Sequence, residues 1–315
     1  MVDNQIWHAG ERALQTAYGV AERMEEIGRH VIRNAMPEQH RDFYEQLPFV
    51  VAGSVGSNGD VWATVLSGRP GFIASPSPTT LTIAARRDDL DPASAGRREG
   101  DAIGLLGIEL HTRRRNRVNG ALRQVSEDRL GFEVDQSFGN CPKYIQLRDY
   151  AFIRDPALPF AGKIAESDGI DAAARAMIER ADTFFVASYA DREDRRQTDV
   201  SHRGGRTGFV RVGDDGTLTI PDFAGNLFFN TLGNILMNGK AGLVFVDFAT
   251  GDLLQLTGDA ELILRSPAIQ AFEGAERLWR VHPRRVVRRA GALPLRWAFR
   301  AGGSSPFLQR TGIWN

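Results

Sequence analysis

The sequence predicts a β-rich α+β protein made of two similar halves, and three observations predict it. Short runs of apolar and β-branched residues, broken by turns, fill most of 49–136 and again 183–263. Five segments then recur in the same order at almost one spacing. GFI at 71–73 and GFV at 208–210 lie 137 apart, as do the two copies of TLTI at 80–83 and 217–220. VVA (50–52) and FVA (185–187) lie 135 apart, DAIGLLGIEL (101–110) and KAGLVFVDFA (240–249) 139, and Asn119-Gly120 and Thr257-Gly258 138. So long a period belongs to a repeated domain rather than a solenoid. Helical patterns, finally, are few, and one of them, over 226–238, interrupts the second strand run. The halves divide as 1–160 and 161–315.

Taken in order, residues 10–35 place Val20, Met24, Ile27, Val31 and Ile32 at three- to four-residue steps, which predicts one amphipathic helix. A short helix is expected over 38–46. FVVAGSVG (49–56), the turn SNGD and VWATVLSG (61–68) read as a hairpin. TLTIAA (80–85) is a strand, 86–100 an exposed polar loop, and 101–110, 114–125 and 130–136 further strands. Residues 148–166 read as a linker. A helix over 167–180 is expected to start on Ser167 or Asp168 as N-cap. The second strand run follows, interrupted by a helix over 226–238 that Gly239 ends.

The two halves differ in chemistry. Between its TLTI strand and the next, the first half carries the loop 86–100 and the second a helix. Before the GF pair the first half reads TVLSGRP and the second SHRGGRT, which is more polar and basic.

Composition narrows the function. The chain has 315 residues, 39 basic and 39 acidic, so its net charge is zero. Non-specific nucleic-acid affinity needs a basic excess, so no nucleic-acid partner is expected. The basic runs at 113–117 and 284–289 are expected on solvated faces or in ion pairs. No apolar run approaches the roughly 20 residues that span a bilayer, and no signal peptide is evident, so a cytoplasmic location is expected. A single cysteine, Cys141, excludes multi-cysteine metal sites and reads as a small buried hydrophobe. The six histidines lack ligand spacing, so no metal is expected.

Three segments could carry chemistry. On a strand, Ser201 and Arg203 share a face and His202 takes the other, before the glycine pair Gly204-Gly205. A hydroxyl beside a guanidinium suits a phosphate, and a surface hairpin is the alternative. Asn226, Asn230, Asn234 and Asn238 form a slowly drifting stripe on the expected helix. Ligand contact, bonding into a neighbouring subunit, and a solvated face with Asn226 as cap all explain it. The helix start, Asp222 to Asn226, offers free N–H groups to an anion. In DQSFGNCPKYIQ (135–146), Phe138 and Tyr144 could stack on a planar ligand. No residue is identified as a general acid or base.

The second half, through ADTFFVASYA, TDVSHRGGRTGFVRV, TLTIPDFAGNLFFNTLGNI and GLVFVDFATGDLLQLTGDAEL, resembles the pyridoxamine 5'-phosphate oxidase-like flavin-binding proteins over roughly 180–265. The first half, through ELHTRRRNRVNG and QSFGNCPKYIQ, is similar to the long members of that family with two such halves. The resemblance implies two tandem split β-barrels with peripheral helices, and FMN in a groove between them. It implies phosphate contacts from Ser201, Arg203, Gly225, Asn226 and Asn230, with His202 and Gly204 beside them. Asp222 and Phe223 would line the flavin ring, and Asn140 to Tyr144 would close the groove from the first half. The chain departs from the vitamin B6 oxidases where they carry an RxVxLK-type strand, which argues against pyridoxamine 5'-phosphate as substrate. The implied function is an FMN-dependent oxidoreductase with a small-molecule substrate or electron donor, and a homodimer. A non-catalytic flavin or haem carrier is the alternative.

Overall fold

The computed structural model describes residues 6–193 and 195–314. The first half forms β1 (Phe49–Val55), β2 (Val61–Ser67), β3 (Ile73–Ser77), β4 (Thr80–Ile83), β5 (Ala102–Glu109), β6 (Arg114–Val125) and β7 (Leu130–Gly139). After β8 (Arg148–Phe152) and β9 (Ile164–Ser167), the second half forms β10 (Thr183–Asp191), β11 (Arg196–Gly204), β12 (Arg211–Val212), β13 (Leu218–Phe223), β14 (Lys240–Val246), β15 (Leu253–Ile263) and β16 (Ala275–Arg289). A last strand, β17 (Leu295–Phe299), pairs with β8.

The two large sheets are antiparallel, and they have the same strand order. The first runs β2-β1-β5-β6-β7-β4-β3 and the second β11-β10-β14-β15-β16-β13-β12, with β9 added on β16. The registers match as well. Gly53 faces Gly104 and Ala63 in one sheet, and Ala187 faces Gly242 and Val200 in the other. Each sheet has a bulge at the same place, Asn119/Gly120 and Thr257/Gly258. A bulge leaves one residue unpaired and bends the strand, so its repetition at the Asn-Gly and Thr-Gly pairs is a structural match in its own right.

The sheets pack on each other through a shared core that includes Val51, Val61, Leu106 and Ile108 from the first half and Phe185, Val200, Val244 and Val246 from the second. Two glycines permit this contact. A Cβ on Gly104 would lie 2.7 Å from the Thr198 carbonyl oxygen, and a Cβ on Gly242 2.2 Å from that of Val61. Gly104 and Gly242 are equivalent, and by the registers so are Thr198 and Val61. One chain therefore reproduces the self-complementary contact of a two-fold dimer.

The helices depart from expectation in several places. The pattern over 10–35 forms two helices, α1 (Ala9–Ala17) and α2 (Ala21–Val31), because Gly19 turns the chain at φ 67°. α3 (Glu38–Glu45) lies where expected. α4 (Ala172–Arg180) is capped by Asp171, whose carboxylate accepts from the Ala174 amide, and not by Ser167 or Asp168. α5 (Asn230–Asn238) begins four residues later than expected and ends on left-handed Gly239. α1, grouped with the first half from sequence, packs on α5 of the second, where Gly10 lies against the Gly233 carbonyl. The segment 148–166 is partly strand, through β8 and β9. The loop 86–100 is only partly exposed, since Asp91, Ala93, Ser94 and Arg97 are buried.

No helix among the described residues is long and apolar enough to cross a membrane. In the basic run 284–289, Arg284 pairs with Asp60 at 2.7 Å, Arg285 with Glu166 at 3.0 Å and Arg289 with Asp88.

Gly104→Ala and Gly242→Ala should each destabilise the chain by about 1–3 kcal/mol, the usual cost of overpacking. Gly139→Ala, whose added Cβ meets nothing within 4 Å, should stay within about 0.5 kcal/mol of the parent. Urea unfolding of the three variants checks this.

Candidate functional site

A cleft enclosing about 100 Å³ lies where β6 and residues 140–144 of the first half meet β11, β13 and the approach to α5 in the second. All eleven residues singled out from sequence line it: Asn140, Tyr144, Ser201, His202, Arg203, Gly204, Asp222, Phe223, Gly225, Asn226 and Asn230. Arg115, Arg117 and Arg277 line it too, and the sequence reading missed them. For Arg115 and Arg117 the signal was present in the run RRRNR. On a strand alternate residues share a face, so Arg115 and Arg117 project to one side. Neither occupies a solvated face.

Arg117 is fully buried. It donates to Asp199 (3.2 Å), to the Asn230 carboxamide oxygen (2.8 Å) and to Ser201 Oγ (2.5 Å). Ser201 Oγ also accepts from Thr231 at 2.9 Å. Arg203 faces Asp222 at 3.2 Å, and Arg277 donates to the other oxygen of that carboxylate at 2.8 Å. Arg115 differs from both. Among the described residues it makes no ion pair, its Nε is buried without a hydrogen-bond partner, and it faces Arg117 and Arg203. Burial, then these like charges, pull its pKa down to about 9. Among the described residues, the buried carboxylates paired with Arg117, Arg203 and Arg277 are Asp199 and Asp222, with Glu276 on Arg277 at the rim. A partly desolvated cationic excess of this kind attracts an anion, most strongly one that accepts several charge-assisted hydrogen bonds.

His202 takes the opposite face of β11, as strand alternation requires, and packs edge-on against Phe185 at 5.7 Å. Burial, followed by the Arg115 and Arg203 charges, holds its pKa well below 6.5. That disfavours its charged form, so it adds no positive charge to the cleft at neutral pH.

The approach to α5 also corrects the sequence reading. Asn226 lies outside the helix, where its Oδ1 accepts from the Phe228 amide at 3.2 Å. Asp222 to Asn226 therefore supply no helix N-terminus. Leu227 and Phe229 are left-handed at φ 64° and 63°, as is Tyr144 at 65° on the opposite wall. Such positions cost about 1–3 kcal/mol each in non-glycine residues and gather at functional sites. The asparagine stripe is not a solvated face. Asn230 donates to Glu11 (2.5 Å), Asn234 to Ser188 (3.0 Å) and Asp199 (2.9 Å), and Asn238 to the Tyr189 carbonyl (2.5 Å). Of the three on α5, only Asn230 reaches the cleft.

The outer wall is aromatic. Tyr144 and Phe223 lie 5.3 Å apart, Phe307 adds a ring 5.9 Å from Tyr144, and Tyr144 donates to the Ala224 carbonyl at 3.1 Å. The C-terminal segment runs beside this wall, and Trp314 donates to the Phe209 carbonyl at 2.9 Å. Cys141 lines the cleft half-buried with a free thiol. Phe138, weighed for stacking, is instead fully buried. Among the described residues no cluster of three or more His, Cys, Asp or Glu side chains could hold a metal ion.

Comparison with known proteins gives the following. No protein-family model and no curated protein matches the chain. Among solved structures, HupZ of Group A Streptococcus is 20% identical, with 36% of this chain covering 89% of that one at a TM-score of 0.30. The FAD binding protein of Mycobacterium smegmatis is 11% identical, with 40% covering 98% at 0.26. An FMN-binding protein of Syntrophomonas wolfei is 13% identical, with 40% covering 96% at 0.25.

Glu11 underlies the cleft through Asn230. Burial, then the Asp199 charge, raises its pKa to about 8 from 4.5, so the folded chain keeps a proton that the unfolded chain has released. That stabilisation is complete below about pH 4.5 and is lost as pH rises through about 8. Its neighbour His8, held below 6.5 by burial, acts in the opposite direction but only below that pH. Between pH 6.5 and 8 Glu11 therefore acts alone, and stability should fall by about 2 kcal/mol. Glu11→Gln should flatten that slope, as thermal melts across the interval would show.

Proposed function

We propose that the chain is a flavin-binding protein of two tandem split β-barrels, and that the cleft takes FMN by its phosphate. The observation that carries this reading is Arg115, a guanidinium without a carboxylate, set beside Arg117 and Arg203 at the inner end of an aromatic-walled cleft. A phosphate monoester carries about −1.5 to −2 charges at neutral pH, which matches the cationic excess. The enclosed volume of about 100 Å³ suits a phosphate-sized group, with the rest of the ligand lying outward along the cleft.

In this reading Arg115, Arg203 and Ser201 hold the phosphate, and Asn226 and the Gly225 backbone flank it. Tyr144 and Phe223 offer an aromatic surface to the ring system. Arg117 is committed to Asp199, so it holds Ser201 and Asn230 in place and adds its charge. When bound, a flavin supplies electron or hydride transfer, and the chain supplies binding and orientation. The common strand order and matching bulges support a tandem duplication. The oxidoreductase role, with a small-molecule substrate or electron donor as partner, is part of the same proposal. Reduction of the bound flavin by NADH or NADPH distinguishes it from a carrier.

The purified chain should show a yellow flavin spectrum, or gain one when FMN is added. Arg203→Ala should weaken FMN at least tenfold, since each charge-assisted hydrogen bond contributes about 1.5–3 kcal/mol. A folded variant with parental affinity in a fluorescence titration would remove Arg203 from the site.

A further inference from the structure

The two-fold frame builds a second cleft, equivalent to the first, between β2 and residues 85–94 of the first half and β15 and residues 289–294 of the second. It is not smaller, enclosing about 170 Å³. The difference between the two is chemical. The registers equate Arg115 with Leu253, Arg117 with Gln255 and Arg203 with Leu66, and continuing the match of β13 with β4 two residues past Ile83 equates Asp222 with Ala85. These four ionic residues of the first cleft are thus replaced by apolar or neutral ones in the second. Asp91 takes the place of Asn230, accepting from Gln255 (2.8 Å) and Thr64 (2.6 Å), as Asn230 accepts from Arg117.

The second cleft has cations of its own, and all of them are engaged. Arg289 is paired with Asp88 and lies 3.6 Å from Asp91, Arg87 is paired with Asp89, and Arg86 with Glu127. Arg154 donates to the Gly291 and Ala292 carbonyls. The connection between the halves also lies along this cleft. Phe160 sits 4.7 Å from the Arg289 guanidinium, and the Ala290 amide donates to the Lys163 carbonyl.

We propose that one chain binds a single anionic ligand, in the first cleft, and that the second cleft is closed to anions by the chain's own carboxylates and by the segment joining the halves. A phosphate entering the second cleft would have to displace Asp88 or Asp91 from Arg289, or compete with the Gly291 and Ala292 carbonyls for Arg154, which has no carboxylate partner among the described residues. This inference deepens the flavin reading and rests on it for the identity of the ligand, but the number and place of anion sites can be tested separately.

The test titrates the full chain with FMN by equilibrium dialysis and with inorganic phosphate by calorimetry, then repeats both on Arg115→Ala, Arg115→Gln and Arg154→Gln, with thermal melts to confirm folding. The expected result is one site per chain, weakened at least tenfold in both Arg115 variants and unchanged in Arg154→Gln. Two sites per chain, or one site that Arg154→Gln weakens and the Arg115 variants spare, overturns the inference and leaves an anion-binding protein. Phosphate bound once and FMN not at all keeps the single anion site and overturns the flavin reading. Binding of neither overturns both.

Discussion

Asp199 is completely buried, and its carboxylate is satisfied only because donors from both halves converge on it. Arg117 and Asn119 reach it from β6, and Asn234 from α5. A buried carboxylate that loses its partners costs about 3–5 kcal/mol, so the sheets cannot separate or slide without exposing it to that penalty. The other polar side chains beneath the cleft follow from this one contact. Arg117, fixed by Asp199, in turn fixes Ser201 and Asn230, and Asn230 holds Glu11 and with it α1.

The same contact explains why the cleft is cationic at its inner end. Arg117 is neutralised by Asp199, and Asp222 is shared by Arg203 and Arg277. Arg115 remains, on the same face of β6 and two residues from Arg117, in a place where burial disfavours its charge. A frame with two-fold symmetry would repeat this arrangement. This chain keeps the frame but has Leu253 where the first cleft has Arg115 and Gln255 where it has Arg117, so equivalent strands carry different chemistry.

Much of the fold was legible in the sequence. Alternating apolar runs marked most of the sheet strands, and the recurrence of TLTI and of the two GF pairs marked the two halves. The candidate site was partly legible, because DVSHRGG and the asparagines near α5 stand out against the more apolar first half. Other features could not be read. The break at Gly19, the left-handed Leu227 and Phe229 and the late start of α5 depend on how the chain must turn to pack. For Arg115 and Arg117 the sequence left a solvated face and an ion pair both open, and Arg117 takes the ion pair, because a run of arginines carries no sign of what lies across from it.

By itself the sequence determined most of the strands within 49–136 and 183–263, that the pattern occurs twice, and which half carries the more polar hairpin. These follow from local periodicity and from comparing the chain with itself. Only the tertiary structure decided which polar residues face one another and how the arginines of the two equivalent clefts are paired. Those outcomes depend on contacts between residues such as Arg117 and Asp199, 82 positions apart. Desolvation and pairing there are set by the packing of one sheet on the other, and no local pattern encodes them.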